Sequence, residues 1–294
     1  MYKVNLLCCS AGLATFELEY PRYIHAELLT HRMFSRNSQS SRATPINTII
    51  KDIEINGVTP PHWYKNQKGM VGGDELDPVD SSQAEYFWDC AKSEAIKYAK
   101  KLADLGVHKQ HVNRLLEPFC TIKTIVTGDD EAYENFFNLR CAPDAQPEIR
   151  ELALQMEKAF YDVNQPLNFG VHHLPYVNTF DITDINRYCN HVHYNTAILC
   201  GSQFYVQAMV SGARCARVSY LKHDGIKPTV EEDLKLAIRL IESKHMTPFE
   251  HCAVRALGGR RCANFTDWMS FRFILEQDIN NPYPLWKSLK EQIS

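Results

Sequence analysis

Between His31 and Arg42 the chain reads HRMFSRNSQSSR, which places three arginines, one histidine, one asparagine and four serines within twelve residues. Most of these side chains donate hydrogen bonds, and each guanidinium is a fixed cation whose planar fork matches a phosphate or a carboxylate. The set is too polar for a core and denser than a solvated turn requires. It predicts a loop that grips an anionic, heteroatom-rich ligand such as a nucleotide.

The chain as a whole is not basic. Its 294 residues carry a formal net charge of −3, so no positive field exists for a nucleic acid polymer, and the expected partner is a small nucleotide. The start, MYKVNLL, lacks the pattern of a secretory signal, and no apolar run is long enough for a membrane span. A cytoplasmic location with reduced thiols is expected for the ten cysteines, none of which forms a C-x-x-C pair. The stretch Cys189-Asn190-His191-Val192-His193 would put three ligand types on one face of a strand. Zinc requires four ligands, however, and no partner pair stands out, so no metal is expected.

Residues 15–20 alternate strictly, with Phe16, Leu18 and Tyr20 on one face, and predict a half-buried strand. Pro21 suits the first turn of a helix, expected from about Arg22 to Phe34, with Ile24, Leu28 and His31 near one face and Glu27 within reach of His31. The arginine-rich segment follows as an irregular loop. Residues 84–105 predict a helix ending at Gly106, and Gln146-Pro147 opens another with Ile149, Leu152, Ala153, Met156, Ala159 and Phe160 at core spacing. Thr229-Val230-Glu231-Glu232 is a capping box for a helix reaching about Lys244. Residues 45–82 and 162–200 read as insertions or extended loops. The segment from Phe265 to Ile274 should pack, and the last dozen residues should fray. Helices mixed with alternating strands, without βαβ regularity and without G-x-G-x-x-G or Walker A sequences, predict an α+β domain over 1–294, with a central antiparallel or mixed sheet flanked by helices.

The segment H-R-x-x-S-x-N-x-x-S-x-R resembles the signature loop of the flavin-dependent thymidylate synthases. Three more segments extend the resemblance. Asn135-Phe136-Phe137-Asn138-Leu139-Arg140 through Ala145-Gln146 and Glu148-Ile149 is similar to N-F-x-x-L-R-x-x-x-x-A-Q-x-E-I, preceded by Asn113-Arg114-Leu115-Leu116-Glu117-Pro118, similar to A-R-x-x-L-P. Arg214-Cys215-Ala216-Arg217-Val218-Ser219-Tyr220 is similar to R-A-A-R-V-S-F, and Thr247-Pro248-Phe249-Glu250-His251 matches T-P-F-E-H. In the family the last two precede the H-R loop. Here they follow it, so the chain resembles a circularly permuted member. In that reading the strand at 15–20 precedes the H-R helix as its family counterpart does, and Ala253 to Leu257 forms a second strand beside it.

The resemblance implies an enzyme, a homotetramer with shared active sites, and the cofactor FAD. It implies reductive methylation of dUMP to dTMP, with methylenetetrahydrofolate as carbon donor, NADPH reducing the flavin, and no catalytic cysteine. By match, His31, Arg32, Asn37, Asn135, Leu139, Arg140, Ser219, Thr247 and Glu250 contact the flavin. Ser40, Ser41, Arg42 and Gln39 hold the nucleotide with Arg114 and Arg140, and Arg140 and Ser40 are the catalytic candidates. His245, His251, Tyr220 and the tryptophans read as structural. The chain departs from the family at Thr30, where an arginine is usual, at Glu27 for glutamine, at Ser38 for glutamate, and at Asp144 for histidine. Glu27 and Ser38 still fall among the expected nucleotide contacts. These changes leave dCMP as an alternative substrate and a hydroxymethyl group as an alternative product. A non-catalytic nucleotide-binding protein of the same fold is the reading from another class.

Overall fold

The computed structural model describes residues 2–69, 71–162, 167–168, 170–191, 203–218, 227–256, 258–259, 261–282 and 284–293. Its centre is a five-stranded sheet. β1 (Lys3–Ser10) and β2 (Leu13–Pro21) form an antiparallel pair, β4 (Thr121–Asp129) runs antiparallel to β2, and β3 (Ser35–Ser38) closes the edge beyond β4. β5 (Leu167–Asn168) joins β1 in parallel, so the sheet is mixed, in the order β3-β4-β2-β1-β5. Phe16, Leu18 and Tyr20 are fully buried on β2, while Glu17 and Glu19 between them stay half-exposed, as strict alternation requires.

The described residues form eleven α-helices: α1 (His25–Leu29), α2 (Ile46–Asn56), α3 (Pro78–Asp104), α4 (Lys109–Val112), α5 (Asp130–Arg140), α6 (Pro147–Phe160), α7 (Thr179–His191), α8 (Gln203–Ala216), α9 (Val230–Glu242), α10 (Phe271–Ile279) and α11 (Leu285–Ile293). α5 and α6 lay Tyr133, Phe136, Ile149, Leu152 and Met156 on Phe16, Leu18 and Phe34 of the sheet side. α7 to α11 enclose a second apolar core around Met209, Leu234, Ile238, Phe249 and Phe271. α2, α3 and α4 share a third, smaller core through Ile50, Ile53, Ala99 and Val112. The α+β architecture with a mixed sheet and flanking helices is as the sequence predicts.

Several boundaries differ. The helix expected over 22–34 is a 3-10 turn, Arg22–Ile24, followed by only five residues of α1. The Thr30 hydroxyl donates to the Glu27 carbonyl and the chain then turns, so that Phe34 enters the core and Ser35 can pair with β4. The expected irregular loop therefore contains a strand. Ser35-Arg36-Asn37-Ser38 has no apolar alternation of its own, and its extended form comes from the open edge of β4. Residues 45–82 contain α2 and the start of α3. That helix begins at Pro78 because Asp77 accepts from the Val79 and Asp80 amides, with proline in the first turn. Residues 162–200 hold β5, β6 (His172–His173) and α7. Cys189 lies in α7 rather than on a strand, so the strand alternation expected for 189–193 does not form there, and His193 lies outside the described residues.

The strand expected over 253–257 is β7 (Ala253–Arg255), and it pairs with β6 and β8 (Trp268–Ser270) in a separate sheet rather than beside β2. Ala253 still meets Leu13 of β2 in a buried cluster with Phe265 and Trp268. Among the described residues of the last dozen, α11 does not fray: it is anchored by Leu289, which is buried in the second core. No helix among the described residues is long and apolar enough to cross a membrane.

Candidate active site

Where α1 ends, His31 is 6% exposed and packs edge-on to Phe136 of α5, with ring centroids 4.7 Å apart. One turn later on α5, Arg140 donates from Nε to His31 Nε2 over 2.8 Å and from an Nη to the Thr30 hydroxyl over 3.1 Å. Two segments separated by 109 residues thus meet head-on. The donor fixes the histidine as an acceptor at Nε2. Burial, then the guanidinium charges of Arg140 and Arg36, lower its pKa to about 4, so it is neutral at pH 7. Beside it, Oε2 of Glu27 is buried without a hydrogen-bond partner. A buried carboxylate oxygen in that state can take a donor from a water, an ion or a ligand.

The strand β3 carries the next residues. Ser35 and Asn37 face inward and Arg36 and Ser38 lie half-buried. Asn37 donates from Nδ2 to the Cys215 carbonyl at the end of α8, and Asn264 donates to the Ser35 hydroxyl. Arg36 donates to the Leu29 carbonyl. Ser38 accepts from Thr124 of β4 over 3.1 Å. The Thr247–His251 turn is a 3-10 element that follows α9 and packs on the same edge. His251 Nδ1 bonds Thr127 of β4 over 2.8 Å, and the charge of Glu250, which is paired to Arg272, acts on Arg36. The T-P-F-E-H turn and the H-R loop are therefore neighbours within one chain. Gly212 of α8 makes this possible, because a Cβ there would meet Phe249 at 2.3 Å.

Beyond β3 the backbone of the loop is held from the far side. Asn113 donates from Nδ2 to the Ser41 and Thr44 carbonyls, and its own Oδ1 is buried without a partner. A cavity of about 330 Å³ opens there, lined among others by Gln39, Ser41, Asn113, Arg22 and Lys123. Glu117, which also lines it, pairs with the exposed Arg114 over 3.0 Å and with Arg22.

The expected site residues thus divide. His31, Arg140 and the side of Glu27 form one cluster; Asn37, Ser38, Thr247 and Glu250 gather at the β3 edge; Gln39 and Ser41 line the cavity, and Arg114 is tied to its Glu117. Arg32 and Arg42 are exposed and Ser40 is half-buried in the loop. Asn135 and Leu139 lie on the outer face of α5, with Leu139 55% exposed. Ser219 and Tyr220 lie outside the described residues. The motifs gave no hint of Thr124 and Thr127, whose β4 hydroxyls anchor Ser38 and His251. Only their register against Ser38 and Ser35, visible once β3 is known to pair with β4, would have found them.

Residues 11–164 match the family described as thymidylate synthase complementing protein. The chain belongs to this family. It is 29% identical over 143 residues to a flavin-dependent thymidylate synthase of Pyrococcus abyssi (48% of this chain, 52% of that protein). It is 31% identical over 145 residues to one of Mycobacterium avium (47% and 52%). The chain spans about half the length of these curated relatives. Among solved structures, a UMP/dUMP methylase PolB from Streptomyces cacaoi bound with 5-Br UMP aligns at 19% identity and a TM-score of 0.47, covering 54% of this chain and 88% of that one. The family match contains the H-R loop, residues 113–118 and residues 135–150. Arg214 to Ser219 and the T-P-F-E-H turn fall beyond it.

Within the family pattern, the departures have local consequences. Thr30 accepts from Arg140 where the family has an arginine, so the guanidinium of α5 is held by a hydroxyl instead of opposed by a second cation. Ser38 is tied to Thr124. Asp144 is exposed between α5 and α6 and touches neither cluster.

Proposed function

We propose that the protein is a flavin-dependent thymidylate synthase that methylates dUMP, and that its chain is circularly permuted relative to its relatives. The observation that carries the reading is the Arg140–His31 hydrogen bond, which joins the L-R segment to the H-R loop. The permutation is supported by the packing of the T-P-F-E-H turn on β3, by its bond to Thr127 of β4 and by the Asn37 bond to Cys215, since both C-terminal segments border the loop that the family places after them.

The residues present fit FAD and a nucleotide. Arginines at 32, 36, 42 and 140 suit phosphates, and the orphaned Glu27 oxygen suits a ring N–H or a sugar hydroxyl. Bound FAD would supply hydride chemistry, with NADPH as reductant and methylenetetrahydrofolate as carbon source. The chain's own work is orientation and electrostatics. Arg140, oriented by neutral His31 and by Thr30, would present its remaining N–H groups to a pyrimidine oxygen and stabilise negative charge that develops as the ring is activated. Asn37, Thr247 and Glu250 would border the flavin, and Arg32 would meet its phosphates. Ser40, Arg42 and the loop amides would hold the nucleotide phosphate, with Arg114 among its partners. Asn135 and Leu139, outward on α5, suit a site completed by another copy, as a homotetramer would provide.

The test is a flavin titration followed by an activity assay with NADPH, methylenetetrahydrofolate and dUMP. Saturable flavin binding with dTMP formation supports the reading. A protein that binds dUMP and no flavin would overturn it in favour of a binding-only role.

A further inference from the structure

We propose that Asn113 and Lys109 are positioning residues for the nucleotide phosphate, holding one edge of the loop at 41–44 so that its other edge faces the ligand. The proposal rests on the reading above that Ser40, Arg42 and the loop amides hold that phosphate.

The loop turns back on itself where the Ala43 amide donates to the Ser40 carbonyl. One short segment then takes three of its carbonyls. Asn113 opens the 3-10 turn Asn113–Leu115 and is 1% exposed. It donates from Nδ2 to the Ser41 carbonyl over 2.7 Å and to the Thr44 carbonyl over 3.1 Å. Lys109, the first residue of α4, donates from Nζ to the Ala43 carbonyl over 2.9 Å. Both protons of Nδ2 are used, and the two carbonyls fix which way the carboxamide faces. Its Oδ1 is left buried without a partner, which carries a penalty. A leucine would fill the same space without that penalty, so the two donors are what the asparagine adds.

In a trans peptide the N–H points opposite to the carbonyl of the preceding residue, and no described peptide is cis. With the Ser41 and Ala43 carbonyls drawn toward α4 and the turn after it, the Arg42 and Thr44 amides are directed to the opposite side. Neither amide has a partner among the described residues, and Arg42 is exposed. Two fixed amides and a guanidinium suit the oxygens of a phosphate. The turn that carries Asn113 also carries Arg114, so one element sets both the loop and the second phosphate arginine. Where the family pattern A-R-x-x-L-P has alanine this chain has Asn113, so the clamp is its own.

The experiment is a calorimetric titration of the FAD-loaded protein with dUMP, and with deoxyuridine as a competitor that lacks the phosphate. Wild type, Asn113→Leu and Lys109→Met are compared, beside flavin content and thermal melts. Asn113→Leu keeps the shape and removes both donors. It should weaken dUMP about tenfold, as a loop that visits its binding form about a tenth of the time would. Lys109→Met should weaken dUMP about threefold, the worth of one partly solvated bond. Neither change should alter deoxyuridine binding or flavin content. Wild-type affinity for dUMP in Asn113→Leu would overturn the proposal and leave the proposed function standing. An equal loss for dUMP and deoxyuridine would do the same, by making Asn113 a general support of the fold. A wild-type protein that binds neither dUMP nor dCMP would remove both readings. Where wild type takes dCMP instead, dCMP and deoxycytidine form the pair, with the same expected factors. Should Asn113→Leu not fold, Lys109→Met decides alone, and its loss must again spare the nucleoside.

Discussion

Arg140 is held by three acceptors on α1 and the turn after it: His31 Nε2, the Thr30 hydroxyl and, at 3.5 Å, the Glu27 carbonyl. A guanidinium fixed this way has little rotamer freedom left to lose when it meets a substrate. Arg140→Ala should lower turnover by about a hundredfold or more, the scale of removing one preorganised donor to a developing oxyanion, with little change in melting temperature. Steady-state kinetics beside a thermal melt would check this, and near-normal turnover would remove Arg140 from the mechanism. At this scale the H-R loop stands out by its composition, and Arg140 stands out by the family resemblance. Their partners do not: nothing in the local sequence says that Thr30 would accept from α5 or that Ser38 would be bound from β4, because those bonds are created by pairing across more than eighty residues.

At the scale of elements, the sequence was most readable where one periodicity ruled. β2 alternates, α6 repeats Ile149, Leu152, Ala153 and Met156 at helical spacing, and α9 starts at a capping box whose Thr229 and Glu232 bond each other's backbone. Thr229→Ala should cost about 1 kcal/mol, seen as a lowered melting temperature without loss of flavin. Reading failed where an element borrows its form from a neighbour. β3 is a strand because β4 has an open edge, and α11 stays folded because Leu289 reaches the second core. The contact between α8 and the T-P-F-E-H turn is of this kind. Gly212→Ala would press a methyl into Phe249, at an overpacking cost of about 1–3 kcal/mol. Because that turn borders β3, the variant should also bind FAD more weakly, measured by flavin titration. Full flavin affinity in a destabilised Gly212→Ala protein would separate the turn from the site.

Across the molecule, a buried polar file ties the two sheets and the turn together. His173 of β6 bonds Thr15 of β2 over 2.7 Å, Thr15 bonds Thr127 of β4 over 2.7 Å, and Thr127 bonds His251. Burial lowers both histidines from 6.5 to about 3, and lowers His25 and His31 to about 4. The unfolded chain takes up these protons near pH 6.5 while the folded chain refuses them until pH 3–4. Stability is thus full above pH 6.5 and is lost as pH falls through that window. Melting temperatures measured from pH 7.5 to 4 should decline steadily below 6.5; a flat profile would contradict the neutral buried pair.

The arrangement of H-R loop, L-R helix end and T-P-F-E-H turn around one sheet edge makes a single claim about chemistry. Mass spectrometry of products from the FAD-loaded protein with NADPH, methylenetetrahydrofolate and either dUMP or dCMP tests it most directly. The account predicts a methyl-sized mass gain on dUMP and none on dCMP. A gain on dCMP alone or a hydroxymethyl-sized gain would contradict the assigned substrate or product, and no product from flavin-loaded protein would contradict catalysis itself.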